Sequence, residues 1–260
     1  MLRVVRDRSA SSAYLDAMRQ RLFSVGPLAQ RHMPFTLPVK GQAPVQVGKV
    51  VAFGKNYEDH RQEMTGAMGS GAPNDLRPPE EPVMFLKPST CLVRDGGRIV
   101  IPQGVTNVMW ETELAVVVGD TMRDVREEDA MRHVLGYAAF LDMTARDLQA
   151  AAKQAGLPWA LSKSIDTFGP VSDVVPAAQA PAWDKLELRL LVNGEERQRS
   201  PTGVMIHSVP KLLAYASRYL TLERGDLVAT GTPAGVGAVK SGDVLEAEIV
   251  GQARVRVTVA

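Results

Sequence analysis

Residues 108–120 read VMWETELAVVVGD, an apolar, largely β-branched run that predicts a strand ending in a turn. Successive strand side chains point to opposite faces. Glu111, Glu113, Ala115 and Val117 then share one face, with Trp110, Thr112, Leu114, Val116 and Val118 on the other. Two carboxylates lie roughly 7 Å apart at the head of a row that continues into apolar residues. Like charges on a face entering a core disfavour each other, and a cation held between them removes the conflict. The competing reading is a strand end whose glutamates face water. The stretch alone does not choose between them.

The 260 residues suffice for one large domain, or a domain with a smaller appendage. Hydrophobic residues at 45% and charged residues at 23% are ordinary for a soluble globular protein. A net charge of +1 gives no electrostatic case for nucleic acid or an anionic membrane as partner. No run approaches the roughly 18 apolar residues of a membrane span. Cys91 is the single cysteine, which excludes an internal disulfide or a cysteine-based metal site and suits a reducing compartment. Within FLKPSTCLV it reads as a buried structural thiol. Residues 1–32 hold six arginines, no lysine and only Asp7 and Asp16 as acids, with Leu15, Met18 and Leu22 on one helical face. That make-up is similar to a mitochondrial transit peptide; an amphipathic surface helix is the competing reading. The expected location is cytoplasmic, or mitochondrial for a eukaryotic source.

Along the chain, residues 34–48 are rich in Pro, Gly and Gln and predict a connector, with a boundary near residue 48. A short buried strand (KVVAF) follows, then a helical turn over 57–64. Residues 65–82, with four prolines and three glycines, predict a flap or an insertion. Further short strands are predicted around 83–86, 91–93, 98–101 and 135–141. After Asp142, Thr144 and Asp147 resemble a capping box for a helix that stops at Gly156. Asn193-Gly194 marks a hairpin, 205–220 an amphipathic helix, and 227–230, 244–250 and 253–259 the last strands. Many short strands with few helices predict an α+β, mainly β fold.

Asp142 ends an apolar strand just before a helix. Alone it is an extra helix cap; beside Glu111 and Glu113 it completes three hard oxygen donors suited to Mg²⁺ or Mn²⁺ rather than zinc. Arg146 and Gln149, three apart, share the helix face adjoining Asp142 and offer a carboxylate-binding surface, or merely a surface salt bridge. His60 and Glu63 also share a face, so the carboxylate can orient the imidazole as a base; a solvated helix is the plain reading. His32, His133 and His207 lack such neighbours and read as structural or exposed. Lys163, in ALSKSID, suits an oxyanion or a surface position. Thr232 belongs to a tight turn (TGTPAGVG) whose hydroxyls and amides can hold a carboxylate.

Together these residues resemble the fumarylacetoacetate hydrolase family. The resemblance runs from Gly48 to the C-terminus through GKNYEDHRQEM, PVMFLKPST, ETELAVVVGD, GYAAFLDMTARDLQ, LPWALSKSIDTFGPVS, LVNGEERQ and GDLVATGTPAGVG. It is nearest the short single-domain branch of acylpyruvate hydrolases and oxaloacetate decarboxylases. The resemblance implies the family's mixed β-roll, with residues 1–47 as extension and connector and 48–260 as catalytic domain, in a homodimer. It implies Glu111, Glu113 and Asp142 as ligands of Mg²⁺ or Mn²⁺, and His60 with Glu63 as the lid dyad that activates water. Arg146, Gln149, Lys163 and Thr232 correspond to residues that hold a small-molecule 2-oxo acid. The implied reaction is metal-dependent hydrolysis of a C–C bond in 3-acylpyruvates through an enolate. Oxaloacetate decarboxylation, and decarboxylation or isomerisation of aromatic meta-cleavage products, are alternatives; a non-catalytic 2-oxo acid binder is more remote. Residues 1–47 and the long 65–82 segment depart from the short branch.

Overall fold

The computed structural model describes residues 34–66 and 79–260. Expectations for the arginine-rich N-terminus, for His32 and for most of the 65–82 segment lie outside the described residues.

The most apolar stretches become neighbouring strands because each needs cover on both faces. Thr112–Val118 pairs antiparallel with Val134–Leu141 on one side and with Leu227–Ala229 on the other. Lys49–Gly54 joins Leu227–Ala229 in parallel, and Val83–Pro88 closes that edge. Val175–Pro176 closes the opposite edge of this six-stranded sheet. Every residue of Thr112–Val118 is buried. The period of two holds: Leu114, Val116 and Val118 enter the larger core cluster, Ala115 and Val117 the smaller one.

The larger cluster also receives inward residues of a five-stranded sheet made of Glu195–Pro201, Glu187–Val192, Val244–Ile249, Ala253–Val259 and Arg98–Ile99. Asn193 and Gly194, at φ 53 and 83, turn its hairpin as the sequence predicts. Val209–Tyr219 buries its apolar stripe in the same cluster, and Ser208 caps it through the amide of Lys211. Cys91 is fully buried, and burial pushes its thiol pKa up to about 11, as befits a structural residue. The fold is α+β and mainly β, as expected.

Three local expectations change. Residues 108–118 are not one strand. Val108–Trp110 pairs with Thr144–Ala145 and Gly237–Ala238 in a separate three-stranded sheet, and the chain breaks at Glu111 before entering the large sheet. The capping box does not form either. Thr144 and Ala145 are used as strand partners of Met109 and Val108, so the helix begins at Arg146 with no side-chain cap. The Asp147 carboxylate instead accepts the amide and hydroxyl of Thr106. The far end is as read, with Gly156 left-handed at φ 65.

Residues 34–48, expected as a connector, are a hairpin of Thr36–Val39 and Gln42–Gln46. Leu37, Val39, Val45 and Val47 are buried in the smaller cluster, and Lys40 and Val174 donate backbone hydrogen bonds across to Val174 and Pro38. The Pro/Gly content there reflects a turn at Gly41, so the expected boundary near residue 48 is no break in packing. Leu37→Ala should cost about 2–5 kcal/mol, as for other buried leucines. A thermal melt checks this: one cooperative transition shifted downward is expected, and an unchanged midpoint would mean the hairpin is dispensable.

Candidate active site

Antiparallel pairing sets the centre of the site. Thr112 lies opposite Leu141, so Asp142, one residue on, meets Glu111 across the strands, and the Asp142 amide donates to the Glu111 carbonyl at 2.8 Å. Glu111, Glu113 and Asp142 each contribute a carboxylate oxygen within 4.8 Å of the others. All three are buried, Asp142 completely. The water-facing reading of the strand end is therefore overturned.

Buried carboxylates at this spacing need positive partners. Lys163 Nζ donates to Glu111 Oε2 at 2.8 Å and also to Asp142 Oδ2. Arg146 donates to Glu111 and, at 2.7 Å, to Gln149 Oε1, so the two residues read as one face do meet. Lys87 Nζ, fully buried, reaches Asp142 Oδ1 at 2.7 Å and the carbonyl of Lys163. Burial alone would raise the Glu111 pKa, but the charges of Arg146 and Lys163 hold it well below the usual carboxylate range. Burial would lower the Lys163 pKa, yet Asp142 and Glu111 lift it above that of a free lysine. Glu113 takes the Gly231 amide at 2.9 Å. Burial, together with the charges on Asp142 and Glu111, pushes its pKa well up.

The dyad comes from the helix Glu58–Gly66. His60 Nδ1 lies 3.4 Å from Glu63 Oε2, and the Gly235 amide donates to both oxygens of Glu63 at 3.2 Å. Burial would raise the Glu63 pKa; the bonds from His60 and Gly235 bring it below normal. The base of the helix is anchored by Asn56, whose side chain bonds Thr230 O, His207 O and His207 N at 2.7–3.1 Å. Gly231 stands against it at φ 97, where a Cβ would come within 2.8 Å of the Asn56 side chain. The His207 backbone is thus fixed by Asn56 and its Nε2 lies 3.1 Å from the Pro79 carbonyl, while His133 pairs at the surface with Asp120.

His60, Glu111, Glu113, Arg146, Lys163 and Thr232 line one cleft of about 930 Å³, together with Gln149. The structure therefore gathers every residue singled out from the sequence, Glu63 standing behind His60 and Asp142 beneath Lys163.

Two residues were missed. Lys87 gave one signal, a lysine inside the apolar strand Val83–Pro88. Gln198 gave none beyond its place in an otherwise solvent-facing strand. It accepts the Thr112 amide at 2.9 Å and donates to Thr232 Oγ1 at 2.9 Å and Pro233 O at 2.8 Å. It ties the glutamate strand to the TGTPAGVG turn.

Comparison with known proteins places this arrangement. The model of the fumarylacetoacetate (FAA) hydrolase C-terminal family matches residues 49–260. The chain belongs to the fumarylacetoacetate hydrolase family. It is 46% identical over 208 residues to the mitochondrial oxaloacetate tautomerase FAHD1 of Arabidopsis thaliana, covering 80% of this chain and 89% of that one. Its structure is similar to fumarylpyruvate hydrolase from Pseudomonas aeruginosa in complex with Mn²⁺ and pyruvate. That match has a TM-score of 0.81 at 34% identity and covers 90% of this chain and 99% of that one. It is also similar to 2-hydroxyhepta-2,4-diene-1,7-dioate isomerase from Mycobacterium marinum. There the TM-score is 0.71 at 36% identity, over 84% of this chain and 76% of that one. Among the described residues no helix is long and apolar enough to cross a membrane.

Gln198→Leu keeps the volume but strands the Thr112 amide in the core. A loss of about 1–3 kcal/mol in urea unfolding is expected; an unchanged midpoint would show that the amide finds another partner.

Proposed function

We propose that this family member is a divalent-metal-dependent enzyme acting on 2-oxo acids through their enol form, and that its reaction is keto–enol interconversion of oxaloacetate. The observation that carries the reading is the His60–Glu63 pair lining the same cleft as the buried carboxylate cluster. The 46% identical relative named oxaloacetate tautomerase supports the choice of reaction.

Three buried carboxylates within 4.8 Å fit Mg²⁺ or Mn²⁺, because hard oxygen donors suit these ions. Glu111, Glu113 and Asp142 would hold the ion, which supplies Lewis-acid polarisation of the 2-oxo group. The chain's own residues supply the rest. Arg146, Gln149 and Thr232 line the same cleft and would hold the substrate carboxylate. Lys163 hydrogen-bonds the oxygen on which negative charge grows. With Nδ1 engaged by Glu63, His60 keeps Nε2 for the proton on the carbon next to the 2-oxo group. Glu63, held ionised, stabilises the imidazolium that results.

A second reading rests on the likeness to fumarylpyruvate hydrolase. In it the same imidazole takes a proton from water, and the water attacks the distal carbonyl of a 3-acylpyruvate. Side-by-side assays of oxaloacetate tautomerisation and acetylpyruvate hydrolysis separate the two. The proposal expects the higher kcat/KM for oxaloacetate; the reverse order would transfer the assignment to hydrolysis. His60→Ala should lower the tautomerase kcat about 10²–10⁴-fold. Glu113→Gln should remove the activity that Mg²⁺ restores to chelator-treated protein, and retained Mg²⁺-dependent turnover would refute the ligand assignment.

A further inference from the structure

Trp110 is buried, stands immediately before Glu111, and does not line the cleft. Its indole Nε1–H donates to the carbonyl of Gly235 at 2.9 Å, across 125 residues of chain. That carbonyl belongs to the planar peptide unit whose N–H is the amide of Val236. The amides of Gly235 and Val236 both donate to the Glu63 carboxylate. One rigid peptide therefore carries the indole on its oxygen and the carboxylate of the dyad on its nitrogen. A hydrogen bond to the carbonyl polarises the unit, so its N–H becomes a better donor.

Gly237 adds an independent observation. It lies opposite Trp110 in the antiparallel pair. Its backbone is not in the left-handed region, yet a Cβ built there would overlap the six-membered ring of the indole. Glycine at this point leaves the room in which the ring lies across the strand and reaches the Gly235 carbonyl. The Glu63 carboxylate needs that support. Its side chain is 26% exposed, and 3.4 Å to His60 Nδ1 is a long hydrogen bond, so water competes for its oxygens.

We propose that Trp110 is a positioning residue for the base: it fixes and polarises the Gly235–Val236 peptide, which holds Glu63 against His60. The inference rests on the reading of His60 and Glu63 as the catalytic dyad and adds what keeps that dyad in place. Adjacent residues of one short strand end then serve both halves of the site. Glu111 goes to the carboxylate cluster, and Trp110 to the turn that carries the amides for Glu63. Base and cluster are thereby held to the same piece of backbone.

The test removes the donor and keeps the ring. Trp110→3-benzothienylalanine, introduced by codon reassignment into the full chain, puts sulfur where the indole has N–H. With Mg²⁺ present, kcat for oxaloacetate tautomerisation or acetylpyruvate hydrolysis, whichever the parent catalyses, should fall about three- to tenfold. KM, and the Kd for Mn²⁺ measured by calorimetry on chelator-treated protein, should stay within about twofold. In Glu63→Gln protein the same replacement should change kcat by less than about twofold, because the indole acts through that carboxylate. An unchanged kcat in the single variant would overturn the proposal and leave the dyad reading standing. So would losses that multiply in the double variant, or a KM and a Mn²⁺ affinity that worsen in step with kcat, as a merely structural indole would produce. A Glu63→Gln protein with the parent's kcat, or a parent that catalyses neither reaction, would overturn both.

Discussion

Three carboxylates packed within 4.8 Å in a buried site is the constraint on which the rest of this structure turns. At that distance each like-charged pair repels by about 3–4 kcal/mol at an effective dielectric near 20. The fold answers with Lys163, Lys87 and Arg146, drawn from three separate segments and aimed at Glu111 and Asp142. Glu113 receives the Gly231 amide instead, and burial with the charges on Asp142 and Glu111 pushes its pKa up. Strongly perturbed carboxylates gathered in a cleft are the kind of electrostatic feature that functional sites carry.

The backbone around the cluster is organised by the same requirement. Glu111 occupies the break where the chain passes from the three-stranded sheet into the six-stranded one, so its side chain is set by two sheets at once. Gln198, from the five-stranded sheet, bonds the first amide after that break and the turn carrying Thr232. Three sheets thus meet beside the break at Glu111. The dyad is held differently, by the amide of Gly235 on Glu63 and by Asn56 at the helix base. Few hydrogen bonds therefore position the base, while many position the acids.

Much of this was legible in the sequence, for identifiable reasons. Residues 112–118 form a nearly continuous apolar, β-branched run, so the strand is legible and its burial on both faces agrees with that composition. The spacing of Arg146 and Gln149 fixed their shared face, and Asn193-Gly194 fixed the hairpin. What escaped depends on partners distant in the chain. Thr144 carries the local pattern of a cap, but pairing with Met109 keeps its backbone extended. Residues 34–48 have a connector's composition, yet Leu37 and Val45 find cover against strands that the local pattern cannot anticipate. Lys87 and Gln198 are ordinary polar residues until the tertiary fold puts Asp142 and Thr232 beside them.

The central claim is that this cluster holds one divalent cation. Crystals of the protein soaked with Mn²⁺ test it through anomalous scattering. The account predicts a single strong peak bounded by oxygens of Glu111, Glu113 and Asp142, at about 2.0–2.2 Å from each, and its loss when Mg²⁺ is present in excess. A peak elsewhere, or none between these three side chains at saturating Mn²⁺, would contradict it.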